Sequence, residues 1–178
     1  MPPVWTVVSH LAGLAVAAAL MWLAIAIDLA PLTGAARGWA MPDLLFLVMA
    51  CLALRRPGIV PAPLVLAAGM LRDLLAGGAV GPGALALLVA SRFLRGRAPA
   101  LKRRSLLVEW LDVTAMAVLT VVLPALLLWV TLADVPSAAS LGLRLLATVL
   151  VYPLVVAVLR VGRSRALRTD DAGGEARA

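Results

Sequence analysis

Apolar stretches alternate with short connectors along this chain, and Lys and Arg gather on every second connector. Arg55 and Arg56 occupy one connector, and Arg95, Arg97, Lys102, Arg103 and Arg104 another. Arg160, Arg163, Arg165 and Arg168 follow the last stretch. The connectors between them hold little cationic charge: Arg37 in the first, none across 77–83, and Arg144 near the last. Loops that stay in the cytoplasm keep their cations, whereas translocated loops lose them, because carrying a cation through the bilayer is costly. The pattern predicts a multi-pass membrane protein with both termini inside the cell.

Composition points to the same solvent. Hydrophobic residues make up 63% of the chain and the mean hydropathy is +1.05, against roughly 45–50% apolar content in an ordinary soluble domain. A fold of 178 residues cannot hide that much apolar surface from water, so lipid must cover part of it. The net charge of +7 does not indicate nucleic acid. The cations flank apolar spans instead of interleaving with aromatics, and the positive-inside rule accounts for them. Cys51, the single cysteine, lies within an apolar run without a CxxC or His partner, so no metal, redox role or cofactor is expected. His10, near the start of the first span, reads as an interfacial residue.

The predicted fold is an all-α transmembrane bundle of about six spans, forming one domain over residues 1–162, with a disordered cytoplasmic tail at 163–178. Span one covers about Val4–Ile27 and ends at Asp28, Pro31 and Gly34. It lacks the small-residue cleavage site of a removable signal and is kept as structure. Span two, about Trp39–Leu54, stops at Arg55-Arg56-Pro57-Gly58, where Pro and Gly break the helix. Span three is about Ile59–Ala76 and span four about Gly83–Leu94, joined by an uncharged Gly-rich turn. Six crossings are favoured, although charge alone leaves this pair open between two crossings and a re-entrant hairpin. Span five, about Leu106–Leu132, contains Pro124; Asp134, Pro136 and Ser137 form a turn before span six, about Leu141–Leu159. Trp5, Trp39, Trp110 and Trp129 fall near predicted span ends, where amphipathic rings settle.

Ionisable groups inside a membrane are expensive and are therefore functional candidates. Asp43 follows Pro42 at the start of span two. Pro suits a first helical turn and Asp complements the positive helix end, so a helix-start device is the favoured role. Arg72 and Asp73 are adjacent in span three; neighbours on a helix do not face each other, so each needs its own partner. They read either as a clamp between helices or as a polar pocket or partner contact. Glu109 and Asp112 share a face of span five, and pairing with cations of the preceding loop is favoured there over chemistry. Gly69, Gly77 and Gly81 permit close helix approach and then a tight turn. That turn lacks the Lys and Ser/Thr of a phosphate-binding loop. No catalytic grouping is present, and no enzymatic activity is expected.

In the order of these motifs the chain resembles the rod shape-determining protein MreD family. The resemblance rests first on Met41-Pro42-Asp43-Leu44-Leu45 and on Leu54-Arg55-Arg56-Pro57-Gly58. It continues in Gly69-Met70-Leu71-Arg72-Asp73-Leu74-Leu75-Ala76-Gly77, through Gly81 to Ala84-Leu85-Ala86, and ends in Tyr152-Pro153 before Leu159-Arg160. Its specific part is 41–86; elsewhere the match is mainly in hydropathy. The resemblance implies a non-enzymatic inner-membrane subunit of the bacterial elongation (rod) complex that scaffolds lateral peptidoglycan synthesis. The implied partners are MreC and, through it, MreB, RodA and a class B penicillin-binding transpeptidase. In that light Pro42, Asp43, Gly69, Arg72, Asp73, Gly77, Gly81 and Pro153 are candidates for structure or partner contact. The basic segments at Arg55, Arg56, Arg95, Arg97, Lys102, Arg103 and Arg104 either orient the protein or meet anionic lipid headgroups.

The resemblance also implies a fold similar to the six-helix substrate-binding subunits of energy-coupling-factor transporters. The rival function is therefore a membrane subunit for uptake of a vitamin-type small molecule. That role needs convergent polar groups around a pocket, yet the chain contains no Asn or Gln. A flippase or lipid-modifying enzyme would call for more paired intramembrane charge.

Overall fold

The computed structural model describes the backbone of residues 4–30, 41–77, 79–101, 105–132 and 137–175, with side chains over 8–30, 41–77, 79–100, 105–132 and 137–157. The described residues form six α-helices and no strand. In chain order these are α1 (Val4–Leu29), α2 (Leu44–Arg55), α3 (Ala62–Leu75), α4 (Pro82–Leu101), α5 (Leu106–Val130) and α6 (Ala138–Glu175). A 3-10 turn, Pro57–Ile59, links α2 to α3. Three helical segments, Val8–Leu29, Leu106–Val130 and Ala138–Ala157, are long and apolar enough to cross a membrane. The chain is in that sense a membrane protein.

The packing is ordered around α2. Leu45, Phe46, Leu47, Met49, Ala50, Cys51, Ala53 and Leu54 are all buried, so this helix is enclosed on nearly every side, as a helix apolar all round must be. It packs against α1, α4 and α6. Met21 and Ile25 of α1, Leu87 and Leu94 of α4, Val113 of α5 and Tyr152 and Val156 of α6 close the core around it. The most extensive helix pairs are α3 with α4 and α4 with α5. Apolar residues also cover the outside: Leu107, Leu111, Val122 and Leu126 on α5, and Leu143, Leu146, Leu150 and Leu154 on α6, are each about half exposed or more. Such stripes are unfavourable in water and natural in lipid.

Several helix limits differ from those expected. Helix α2 begins at Leu44, because Asp43 caps it; the predicted start at Trp39 lies outside the described residues, as do Pro31, Gly34, Asp134 and Pro136. Helix α3 begins at Ala62 instead of Ile59, since Pro57 and Pro61 keep the intervening segment out of an α-helix. At a ~1.5 Å rise, α2 and α3 are about 18 and 21 Å long, short of a ~30 Å hydrocarbon layer. Helix α4 continues past Leu94 to Leu101, so Arg95 and Arg97 belong to its last turns and not to a loop. Lys102, Arg103 and Arg104 are outside the described residues. Helix α6 runs to Glu175, so the backbone of 163–175, expected as a disordered tail, is helical.

Candidate functional site

Asp43 is the centre of the polar groups at one end of the bundle. Its carboxylate accepts the Phe46 N–H at 3.0 Å, making it the N-cap of α2. The two preceding donors of that turn, Leu44 N–H and Leu45 N–H, go to the two oxygens of Asp28, each at 3.3 Å. Three of the N–H groups that a helix start leaves unpaired are thus satisfied by carboxylates from α1 and from the cap itself. Negative charge there also complements the helix dipole.

The charge on Asp43 is met from two other helices. Arg72 Nη1 of α3 donates to both carboxylate oxygens at 3.2 and 2.9 Å, and Arg144 Nη2 of α6 donates to Oδ2 at 3.1 Å. The Asp43 N–H donates to Thr148 Oγ1 at 2.8 Å, and that hydroxyl donates to the Arg144 carbonyl at 2.8 Å. Four helices, α1, α2, α3 and α6, are therefore tied at one carboxylate pair. Asp43 is 8% exposed, and a charge taken that far from solvent is tolerable only with such partners.

Asp73 serves the next helix. Its Oδ2 accepts from the N–H groups of Gly81, Gly83 and Ala84 at 3.1, 3.0 and 3.1 Å, so α3 caps the start of α4. Arg72 Nε lies 3.8 Å from Asp73 Oδ1, placing one guanidinium between two carboxylates. The turn demands glycine: Gly77 and Gly81 have φ of +70° and +119°, a region other residues rarely enter. At Gly83 a Cβ would collide with the Asp73 carboxylate, and at Gly69 it would lie 2.6 Å from Ala84 Cα. The segment 41–84 is therefore one interlocked unit. Beside it lies a cavity of about 190 Å³, lined by Asp43, Arg72, Asp73 and Arg144 together with Thr120 and Pro124 of α5.

A second polar group occupies the opposite end of α2. Tyr152 donates to Glu109 Oε1 at 2.8 Å, and Arg55 Nη2 lies 3.5 Å from the same oxygen. Arg97 Nη2 pairs with Asp112 Oδ1 at 2.7 Å while its guanidinium lies 5.2 Å from the Phe93 ring centroid. Arg95 Nη1 donates to the Val60 carbonyl at 2.6 Å, fastening α4 to the segment ahead of α3. Pro153 has no N–H, so it frees the Val149 carbonyl four residues earlier in α6. The indole Nε1 of Trp110 donates to that carbonyl at 3.1 Å. The Tyr152-Pro153 pair is thereby held to α5 by Glu109 and Trp110.

Of the residues singled out in the sequence, Asp43, Gly69, Arg72, Asp73, Gly77 and Gly81 converge at the first end, with Pro42 preceding the cap. Pro153, Arg55, Arg95 and Arg97 lie at the second, and Arg56 is exposed after α2. Arg72 and Asp73 do have separate principal partners. Trp110, expected as an interfacial anchor, instead uses its N–H inside the helix pair. Asp28, Gly83, Thr148 and Arg144 were missed as site residues. Asp28 and Arg144, as charges beside apolar runs, carried a signal; Thr148 carried none. Chemically the arrangement locks helix termini: each carboxylate meets backbone N–H groups, arginine or Tyr152, with Asp112 Oδ2 left without a hydrogen-bond partner among the described residues. Comparison of the chain with protein-family models, with curated proteins and with solved structures finds no match.

Proposed function

We propose that this chain is a non-enzymatic, multi-pass component of the bacterial inner membrane, of the MreD type, that scaffolds lateral peptidoglycan synthesis in the elongation complex. In this reading both termini are cytoplasmic, the bundle crosses the membrane six times, and MreC is the direct partner linking it to MreB, RodA and a class B penicillin-binding transpeptidase. The observation that supports it most is the convergence of the resemblance-bearing motifs. Pro42-Asp43, Arg72-Asp73 and Gly81 come from separate helices and a turn, yet they meet in one clamp. Motifs devoted to fixing helices against each other suit a docking platform. The cavity next to the clamp, at about 190 Å³, is smaller than the ~300 Å³ at which pockets for small molecules begin. The larger space between α5 and α6, about 330 Å³, has an almost wholly apolar lining. Neither combines the volume and the convergent polar groups that uptake of a vitamin-sized ligand needs.

Affinity purification of the tagged full-length protein in mild detergent from its native membrane, with mass spectrometry of what accompanies it, tests the proposal. MreC with wall-synthesis enzymes is the expected result. Recovery of ATPase subunits with a transmembrane coupling protein would overturn the scaffold reading in favour of transport.

A further inference from the structure

A groove between α5 and α6 lies at the Arg55 end of the bundle, on the apolar side of the Trp110, Tyr152 and Pro153 contacts. Leu106, Leu107 and Trp110 of α5 form one wall and Tyr152, Pro153 and Val156 of α6 the other, enclosing about 330 Å³ open on one side. Its lining is almost wholly apolar. The polar atoms of its two aromatic residues are already used, Tyr152 on Glu109 and Trp110 on the Val149 carbonyl. Along the helices the groove runs from Leu106 to Trp110 and from Tyr152 to Ala157, only about 6–8 Å at ~1.5 Å per residue. A transmembrane helix lying alongside would meet it over little more than one turn, at ~5.4 Å per turn. The one small lining residue, Ala157, does not supply the small-residue stripe that close helix docking uses. A flexible hydrocarbon chain fits its volume and its apolar chemistry.

The surrounding charge selects which lipid would bring that chain. The groove opens at the first turn of α5. Among the described residues, this end of the bundle carries Arg55, Arg56, Arg92, Arg95 and Arg97 against only Glu109 and Asp112. Both carboxylates are engaged, by Arg55 and Tyr152 and by Arg97. The end is thus net positive, and Asp112 Oδ2, which has no hydrogen-bond partner among the described residues, is buried; this is the arrangement that attracts anionic headgroups to a membrane surface. We infer that the α5–α6 groove is a site for one anionic phospholipid, with an acyl chain between Trp110 and Val156 and the phosphate in the positive field at the mouth.

The full-length protein, purified in mild detergent and given phosphatidylglycerol and phosphatidylcholine in equal amounts, is examined by native mass spectrometry. One phosphatidylglycerol should remain bound, enriched by at least about five-fold, roughly the preference that one surface cation supplies. Ala157→Trp, which fills the groove, should abolish the enrichment, while Leu126→Trp on the open face of α5 should keep it. Because a filled groove can also disturb folding, the unaltered protein is also photocrosslinked with a phosphatidylglycerol carrying a photoactivatable acyl chain. Adducts should concentrate on the peptides holding Leu106–Trp110 and Tyr152–Ala157. Equal retention of the two lipids, or adducts spread evenly over the exposed faces of α1, α5 and α6, would overturn the assignment.

Discussion

Asp43 shows how much one side chain does when it is buried with charge. Removing it leaves Arg72, whose side chain is only 14% exposed, with no carboxylate nearer than Asp73 Oδ1 at 3.8 Å, and orphaning one member of a buried pair outright costs about 3–5 kcal/mol. Asp43→Ala should therefore lower stability by up to that amount, with Asp73 offsetting part of it, read as a reduced unfolding midpoint in detergent. Arg144→Gln should cost less than about 1 kcal/mol, because its side chain is 42% exposed and solvent already screens its pair. Equal losses in the two variants would mean that Arg144, not Arg72, is the essential counter-ion. The asymmetry also explains what could be read from the sequence. Asp43, Arg72 and Asp73 stand out as charges beside or inside apolar runs, and a carboxylate after Pro42 announces a cap. Arg144 looked like an isolated cation in a connector because its partner is 101 residues away, a separation that no local periodicity encodes.

Between helices, two devices set how closely the elements approach. At Gly69 the backbones of α3 and α4 nearly touch, and a methyl group there would meet Ala84 Cα at 2.6 Å. Gly69→Ala should force the pair apart at a cost of about 1–3 kcal/mol, the usual penalty for overpacking. The second device joins α5 and α6 through Pro153, Val149 and Trp110. Trp110→Phe leaves the Val149 carbonyl unpaired, at about 1–3 kcal/mol. Pro153→Ala supplies a new N–H to the same carbonyl within α6. In a double-mutant cycle the cost of Trp110→Phe should therefore fall in the Pro153→Ala background; additive effects would show that the indole bond is incidental. Helix identities were legible from hydropathy and from Pro and Gly. Limits were less so: Arg95 and Arg97 were placed in a loop because charge ends an apolar run, whereas their contacts with Val60, Asp112 and Phe93 continue α4 through them. Pro153 was recognised as a motif, but the carbonyl it frees becomes visible only when Trp110 stands opposite.

Taken whole, the molecule is a short apolar core closed at both ends by charge. Asp43 stands just before α2 and Arg55 ends it, about 18 Å apart along the axis at ~1.5 Å per residue. Both polar groups thus fall within or near the ~30 Å hydrocarbon layer, which is why Asp43, Asp73, Glu109 and Asp112 each lie against an arginine. In the proposed reading the positive-inside pattern puts the Arg55 end in the cytoplasm and the Asp43 end outside. That orientation and the number of crossings are checked together by single cysteines introduced into a Cys51→Ala background at exposed positions. A membrane-impermeant maleimide added to intact spheroplasts should modify Ser137→Cys, just before α6, and should reach Arg56→Cys only after lysis. Val80→Cys, in the exposed turn between α3 and α4, decides the remaining ambiguity. Helices α3 and α4 lie with the Asp73-capped turn at the same end as Asp43, so Val80→Cys should be modified from outside together with Ser137→Cys. Protection of Val80→Cys from both sides would instead place the α3–α4 turn within the membrane, as a re-entrant hairpin held there by Asp73 and the turn glycines.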